Sequence, residues 1–183
     1  MRLRFPKPYA DLVARLRVPI GFLLVAAFAW FSHPHPRSLA CGLPVSVLGL
    51  ALRAWAAGHL AKNQSLAVGG PYAYTRNPLY LGTLLVAAGL AVASRSLGLG
   101  ALFAAVFAFI YLPAIQLEQQ YLRTLFPEFS AYAARVPALL PRLTPAPGAA
   151  RRFAWSLYMK NGEYQAAGGF LAGAIFLLWK ALR

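Results

Sequence analysis

The residues best suited to binding chemistry occur in two separate places in the sequence. Arg76 precedes an apolar run that starts after Pro78, and Glu118 follows another apolar run that starts at Leu97. A short SRSLG turn joins the two runs, so they predict an antiparallel helical hairpin with Arg76 and Glu118 at the same end. These charges could pair with each other to ease burial, or they could hold a zwitterionic ligand.

The loop before the first of these runs carries further binding groups. Its sequence over residues 69–82 is GGPYAYTRNPLYLG, which turns at the glycines and places Pro78 at the start of a helix. The free N–H groups and positive dipole end of that helix suit a carboxylate. Tyr72, Tyr74 and Tyr80 could form an ordinary interfacial aromatic belt, or the aromatic wall of a ligand site.

The composition indicates an integral membrane protein. Of 183 residues, 60% are hydrophobic and 12% are charged, whereas soluble domains have about 45–50% apolar and about 25% charged residues. The net charge is +14, but the basic residues lie between apolar runs, which favours membrane topology and lipid contacts over nucleic-acid binding. With Cys41 as the only cysteine and three scattered histidines, neither a disulfide nor a metal site is expected.

The apolar runs predict an all-α fold, an integral membrane helical bundle with about five transmembrane helices. The runs cover residues 18–32 with a start near Leu12, then 39–58, 79–94, 97–117 and 166–182. The last run is short, and its glycines could equally pack against a neighbouring helix, so whether it crosses the membrane stays open. The first run follows a basic N-terminus without a convincing cleavage site, which favours an uncleaved span over a signal peptide.

A non-spanning segment separates the last two runs. It predicts an amphipathic interfacial helix over Tyr121–Val136, a proline-rich strap with the sequence VPALLPRLTPAPG, and a second interfacial stretch, RRFAWSLYMKNGEY. We therefore expect one membrane domain over residues 1–183. Within it, residues 57–142 form the core that carries the motifs, and residues 143–183 form the strap and the C-terminal helix.

The distribution of Lys and Arg predicts the N-terminus and the motif-bearing face on the cytoplasmic side. The segments on the outer side then contain only Arg37, Arg95, Lys180 and Arg183. The segments on the inner side contain Arg2, Arg4, Lys7, Arg15, Arg17, Lys62, Arg76, Arg123, Arg135, Arg142, Arg151, Arg152 and Lys160.

Taken together, the motifs resemble a known family. The pattern G-P-Y-x-Y-x-R-N-P-L-Y-x-G is followed by E-x-x-x-L-x-x-x-F-x-x-x-x-x-Y and then V-P-x-L-L-P. This order is similar to that of the isoprenylcysteine carboxyl methyltransferases, whose broader relatives include the phospholipid N-methyltransferases. The resemblance covers residues 57–142. It implies transfer of a methyl group from S-adenosylmethionine to a lipid or lipid-like acceptor, through a carboxylate or an amine.

The resemblance also implies the site residues. Arg76 and Glu118 are the expected catalytic pair, and both are expected to bind the cofactor. The other expected cofactor-binding residues are Gln64, Ser65, Leu66, Ala67, Tyr72, Asn77, Pro78 and Tyr80. His59 and Lys62 are additional candidates from their proximity to these positions. An Arg suits the cofactor carboxylate, a Glu suits its ammonium or ribose hydroxyls, and tyrosine faces suit adenine and the sulfonium.

Three departures from the family pattern bear on the acceptor. Asn77 replaces a His, so this position cannot titrate, and Gln119 stands where many members have a second Glu. Ala114 stands where the prenylcysteine enzymes carry a substrate-facing Arg, which argues against prenylcysteine as the acceptor.

Two other functions remain open from the sequence. Sterol reductases end in a similar hairpin and bind NADPH there, and a non-catalytic membrane scaffold could keep the same fold. The expected partners are membrane lipids and a hydrophobic or lipidated small-molecule acceptor, and no nucleic acid.

Overall fold

The computed structural model describes residues 5–148 and 152–183. Arg2, Arg4 and Arg151 of the predicted inner-side charges lie outside the described residues, as does the side chain of Arg17. The described residues form helices joined by loops, with no β-strand among them, so the all-α prediction is confirmed. The helices are α1 (Lys7–Phe31), α2 (Pro36–Ala57), α3 (Pro78–Ser94), α4 (Leu97–Leu125), α5 (Phe129–Arg135), α6 (Trp155–Lys160) and α7 (Glu163–Ala181).

Helices α2 and α4 are long and apolar enough to cross a membrane. The apolar part of α1, Pro19–Phe31, and helix α3 are apolar but shorter. Five transmembrane helices therefore stay a prediction, while the described residues contain two candidate spans.

Helices α2 and α3 form the closest pair in the bundle, because small residues line their contact. A Cβ atom on Gly49 would lie 2.6 Å from the carbonyl oxygen of Gly82, so neither helix could approach as closely with a larger residue there. Ser46 adds a hydrogen bond from its Oγ to the Val86 carbonyl, at 3.0 Å. This contact fixes the start of α3, directly after Arg76 and Asn77, against the end of α2.

Helix α1 runs antiparallel to α4. Near its start, the backbone of Phe5 exchanges hydrogen bonds with the side-chain amide of Gln116. Near its end, Phe28 stacks on Phe103 with ring centroids 6.1 Å apart. These two contacts place the end of α1 beside the start of α4, as expected for neighbouring antiparallel helices.

Helix α7 lies antiparallel along α2. Glu163, its first residue, pairs with Arg53 near the end of α2, and Leu177 packs on Leu39 near the start of α2. Lys180 then donates to the Ala29 carbonyl at the end of α1, at 2.9 Å. The last apolar run therefore forms a helix that accompanies α2 along most of its length.

The prediction of one amphipathic helix over Tyr121–Val136 is wrong. Helix α4 continues past the predicted end of its run to Leu125, and the separate helix α5 begins at Phe129. Pro127 causes the break, since its ring disfavours helical backbone at the preceding residue. Accordingly, Phe126 adopts an extended conformation with φ −126° and ψ 108°.

Candidate cofactor-binding site

A cavity of about 710 Å³ opens where the end of α2, the start of α3 and the second half of α4 meet. Its volume lies within the range of about 300–1,000 Å³ that is typical of small-molecule sites. It is lined by Arg53, Leu60, Lys62, Asn63, Ser65, Leu66, Ala67, Tyr72, Arg76, Asn77, Pro78, Leu79, Tyr80, Thr83, Tyr111, Glu118, Gln119, Tyr121, Leu122, Phe126, Phe129, Tyr132, Asn161 and Glu163.

The proline-rich strap holds the loop that forms one wall of this cavity. The N–H of Arg76 donates to the Pro137 carbonyl at 2.9 Å, and the N–H of Arg142 donates to the Tyr74 carbonyl at 3.0 Å. Proline residues cannot continue a helix, so the strap stays extended enough for its backbone to pair with the loop. The predicted strap thus supports the loop rather than only linking two helices.

Two side chains of the loop bind the same strap. Asn77 donates its amide Nδ2 to the Ala138 carbonyl at 2.7 Å, and Thr75 donates its Oγ1 to the Leu139 carbonyl at 3.0 Å. Both side chains are buried, with 6% and 1% of their surface exposed, so these bonds replace lost contacts with water. Asn77 therefore fixes the backbone between Arg76 and Pro78 through its bond to the strap.

Arg76 and Glu118 both line the cavity but form no ion pair with each other. Glu118 instead accepts a hydrogen bond from the Tyr80 hydroxyl on its Oε2, at 2.9 Å. The Nε of Arg76 and the Nε2 of Gln119 are buried and have no hydrogen-bond partner among the described residues. Burial lowers the pKa of Arg76, and nearby Arg123 lowers it further. An anionic group in the cavity could accept hydrogen bonds from both unpaired donors and would offset the cost of burying the Arg76 charge.

Two tyrosines join the loop to helix α5. The hydroxyl of Tyr132 donates to the Tyr72 carbonyl at 2.8 Å. Burial raises the pKa of both phenols above the ordinary value of 10.0, so both stay protonated at neutral pH. They therefore add hydrogen-bonding groups and ring surface to the cavity without adding negative charge.

One segment that forms much of this site matches a known protein family. Residues 39–128, which include α2, the loop, α3 and most of α4, match the family described as phospholipid methyltransferase. Through this segment, which is just under half of the chain, the protein is similar to the phospholipid methyltransferase family. The match confirms the family predicted from the two motifs.

Two curated proteins are similar to this chain. The cobalt-zinc-cadmium resistance protein CzcN of Cupriavidus metallidurans is 36% identical over 137 residues, which cover 70% of this chain and 62% of that protein. The nickel-cobalt-cadmium resistance protein NccN of Alcaligenes xylosoxydans xylosoxydans is 33% identical over 135 residues, covering 70% of this chain and 63% of that protein. The chain thus spans about three fifths of the length of these relatives. No solved structure matches it significantly.

Most of the predicted site residues lie together around the cavity, and their binding roles stay predictions. They are Lys62, Ser65, Leu66, Ala67, Tyr72, Arg76, Asn77, Pro78, Tyr80 and Glu118. Gln64 is exposed and does not line the cavity. His59 does not line it either: its Nδ1 lies 2.8 Å from the Trp55 carbonyl, and its ring packs between Trp55 and Phe153.

An ion pair that the sequence analysis missed forms another wall of the cavity. Arg53 binds both carboxylate oxygens of Glu163, with distances of 2.9 and 2.8 Å, and also donates to the Thr83 hydroxyl. An Arg inside the apolar run 39–58 is itself a signal, because a charge at membrane depth is costly unless it is paired. Glu163 and Asn161 lie beyond residues 57–142, so the cavity also draws on the C-terminal segment.

Other lining residues were also missed, for reasons of fold. Tyr111 and Gln119 lie on α4 on either side of Glu118, and helical spacing alone does not tell which of them faces α3. Tyr132 lies on helix α5, within the segment that was predicted as one continuous helix, so its place beside the loop was not predicted. Within residues 5–148 and 152–183, no group of three or more His, Cys, Asp or Glu side chains could hold a metal ion.

Proposed function

We propose that this chain transfers a methyl group from S-adenosylmethionine to a lipid or lipid-like acceptor at the cytoplasmic membrane face. The observation that carries this proposal is the cavity that brings together Arg76 and Glu118, the two charges from separate motifs, without letting them pair. Arg76 and Gln119 each have a buried donor that no described protein residue pairs with. Because buried donors are normally hydrogen-bonded, a ligand with an acceptor group is expected here.

The donor set fits the groups of S-adenosylmethionine. Arg76 suits its carboxylate, and Glu118, with Tyr80 bound to it, suits its ammonium or ribose hydroxyls. Bound S-adenosylmethionine supplies an electrophilic methyl group on a sulfonium. The role of the protein residues is then to orient the reactants in line and to exclude water, which can supply much of the acceleration.

The chemistry of the acceptor decides whether the reaction needs a base. A carboxylate acceptor needs no base, whereas an ammonium must first lose a proton. His59 is packed away from the cavity and Glu118 lines it, which supports Glu118 as the group that takes that proton. Glu163 also lines the cavity, but both of its oxygens already accept hydrogen bonds from Arg53.

The proposed membrane placement follows from the same geometry. The cavity lies at the end of α2 and beside the second half of α4, the two helices that could cross a membrane. Lys62, Arg76 and Arg123 lie at this end, which the positive-inside rule assigns to the cytoplasm. We propose that α7, which accompanies α2 from Arg53 to Leu39, is a further span of a multi-pass bundle.

Calorimetric titration of the detergent-purified chain tests this function. We expect S-adenosylhomocysteine to bind and NADPH, titrated in parallel, not to bind. Binding of NADPH alone would instead support a reductase, and binding of neither ligand would support a scaffold.

Matched variants test the site within the same titration. Arg76→Ala and Glu118→Ala should each weaken S-adenosylhomocysteine binding about 10-fold or more, because each removes a charge-assisted contact of about 1.5–3 kcal/mol. Arg135→Ala and Glu128→Ala remove the same charges from exposed positions outside the cavity and should bind like the wild type. Normal binding by both cavity variants would reject the site assignment.

The names of the two relatives support a biological setting in metal tolerance, which we propose for this methyltransferase as well. Expression of the chain in a metal-sensitive bacterium should then raise growth in Co²⁺, Zn²⁺ or Cd²⁺. Arg76→Ala should lose this gain and Arg135→Ala should keep it. Unchanged growth with the wild-type chain would reject the role in metal tolerance and would not bear on the proposed methyl transfer.

A further inference from the structure

Helix α4 is distorted at one defined place. Pro113 has no N–H, so the Phe109 carbonyl, four residues earlier, loses its usual helical donor. The helix widens there into a π turn over Phe107–Tyr111. Tyr9 of α1 donates its hydroxyl to that same Phe109 carbonyl, at 2.7 Å. A contact from another helix thus stabilises the distortion, and π turns inside α-helices are frequent at functional sites.

The π turn ends at Tyr111, which lines the cavity. The ring of Phe107 stacks on Tyr111 with centroids 5.8 Å apart and lies behind it, since Phe107 does not line the cavity. Tyr111 also meets the ring of Tyr80 edge to face, with centroids 6.0 Å apart. The Tyr80 hydroxyl in turn donates to Glu118. We call this group of Tyr80, Tyr111 and Glu118 the aromatic corner.

The chemistry of the aromatic corner favours a cation. Tyrosine rings carry negative electrostatic potential on their faces, and a carboxylate adds a full negative charge. Arg76 and Lys62, which also line the cavity, provide positive charge. The cavity therefore combines basic groups suited to a carboxylate with the acidic, aromatic corner suited to a cation.

We propose that the aromatic corner recognises the sulfonium of S-adenosylmethionine, with Tyr111 as a binding residue and Tyr9 as a positioning residue that acts through the π turn. This inference rests on the proposed function. It goes beyond the motif residues, because Tyr111 belongs to neither motif and Tyr9 lies outside the segment 39–128 that matches the family.

The test compares two ligands that differ at the sulfonium. S-adenosylhomocysteine has the same carboxylate, ammonium, ribose and adenine as S-adenosylmethionine but a neutral thioether. The Kd of each is measured by calorimetry for the wild type and for Tyr111→Leu, Tyr111→Phe and Tyr9→Phe. Tyr158→Leu is the matched control, since Tyr158 packs on Trp155 and does not line the cavity.

We expect Tyr111→Leu to weaken S-adenosylmethionine binding about 3- to 10-fold, the range for loss of a cation–π contact, with S-adenosylhomocysteine binding unchanged. Tyr111→Phe keeps the ring, so the ratio of the Kd of S-adenosylhomocysteine to the Kd of S-adenosylmethionine should stay at its wild-type value. Tyr9→Phe, which removes only the hydroxyl bound to Phe109, should lower this ratio by a smaller factor. The Tyr158→Leu control should keep it.

Other outcomes would overturn the inference in distinguishable ways. Equal weakening of both ligands by Tyr111→Leu would mean that Tyr111 contacts another part of the cofactor or only supports the fold. Unchanged binding of both ligands in Tyr111→Leu would remove the aromatic corner from sulfonium recognition while leaving the proposed function in place. A wild-type protein that binds neither ligand would overturn the proposed function itself.

Discussion

The ion pair between Arg53 and Glu163 should be the strongest single polar link between the C-terminal helix and the rest of the bundle. Glu163→Ala removes two charge-assisted hydrogen bonds, of 2.9 and 2.8 Å, from Arg53. Side-chain exposure is 22% for Arg53 and 11% for Glu163, so the pair is largely withdrawn from water. Removal of one partner from a fully buried pair costs about 3–5 kcal/mol, because the other charge stays buried.

The expected cost here is lower than that range. Arg53 keeps its hydrogen bonds to the Thr83 hydroxyl and the Leu79 carbonyl, and it retains some contact with water. We therefore expect Glu163→Ala to lower the free energy of unfolding by about 2–3 kcal/mol. For a chain of this size, that corresponds to a fall in Tm of roughly 4–12 °C.

Unfolding in mixed detergent micelles, followed by circular dichroism, measures this cost. The double variant Arg53→Met/Glu163→Leu should regain most of the lost stability, because apolar residues of similar size replace both charges. The single variants Arg53→Met and Glu163→Leu complete a double-mutant cycle with it and give the coupling energy between the two positions. A Glu163→Ala protein within about 0.5 kcal/mol of the wild type, or a coupling energy near zero, would refute the reasoning.

Three further outcomes follow from the packing, the strap and the buried phenol. Gly82→Ala should destabilise the fold by about 1–3 kcal/mol in the same unfolding assay, because its Cβ would lie 2.7 Å from the Gly49 carbonyl oxygen; equal stability would mean that the helices can separate without cost. Asn77→Ala should weaken S-adenosylhomocysteine binding in calorimetry and speed proteolysis of the strap, because the Ala138 carbonyl loses its 2.7 Å donor. Loss of binding without faster cleavage would instead indicate that Asn77 contacts the ligand directly. Burial raises the pKa of Tyr132 above its ordinary value of 10.0, so unfolding measured against pH should show stability that is constant below pH 10.0 and declines above it as the unfolded phenol ionises. Tyr132→Phe should be less stable at neutral pH but decline less steeply, and an equal slope in both proteins would assign the decline to other groups.

Much of the helical framework could be predicted from local sequence. Helix α3 begins at Pro78, the predicted first helical residue, and ends at Ser94, where the third apolar run ends, because Pro78 starts a helix well and the SRSLG turn ends it. Arg76 and Glu118 could be placed at one end of the bundle because a short turn forces the hairpin to be antiparallel. A local signal also existed where the prediction was wrong: Pro127 ends α4, despite the amphipathic pattern that continues past it.

What the sequence determined by itself was the membrane character, the helical runs and the two motifs that identify the family. Each of these depends on residues close together in the chain. The tertiary structure alone decided the contacts between distant positions: Arg53 meets Glu163 across 110 positions, and Tyr9 meets Phe109 across 100. It also decided that His59, a neighbour of the motif in sequence, packs against Trp55 and Phe153 away from the cavity. The physical reason is that helix periodicity and turn chemistry act locally, whereas the direction in which each helix faces its neighbours depends on how all of them pack together.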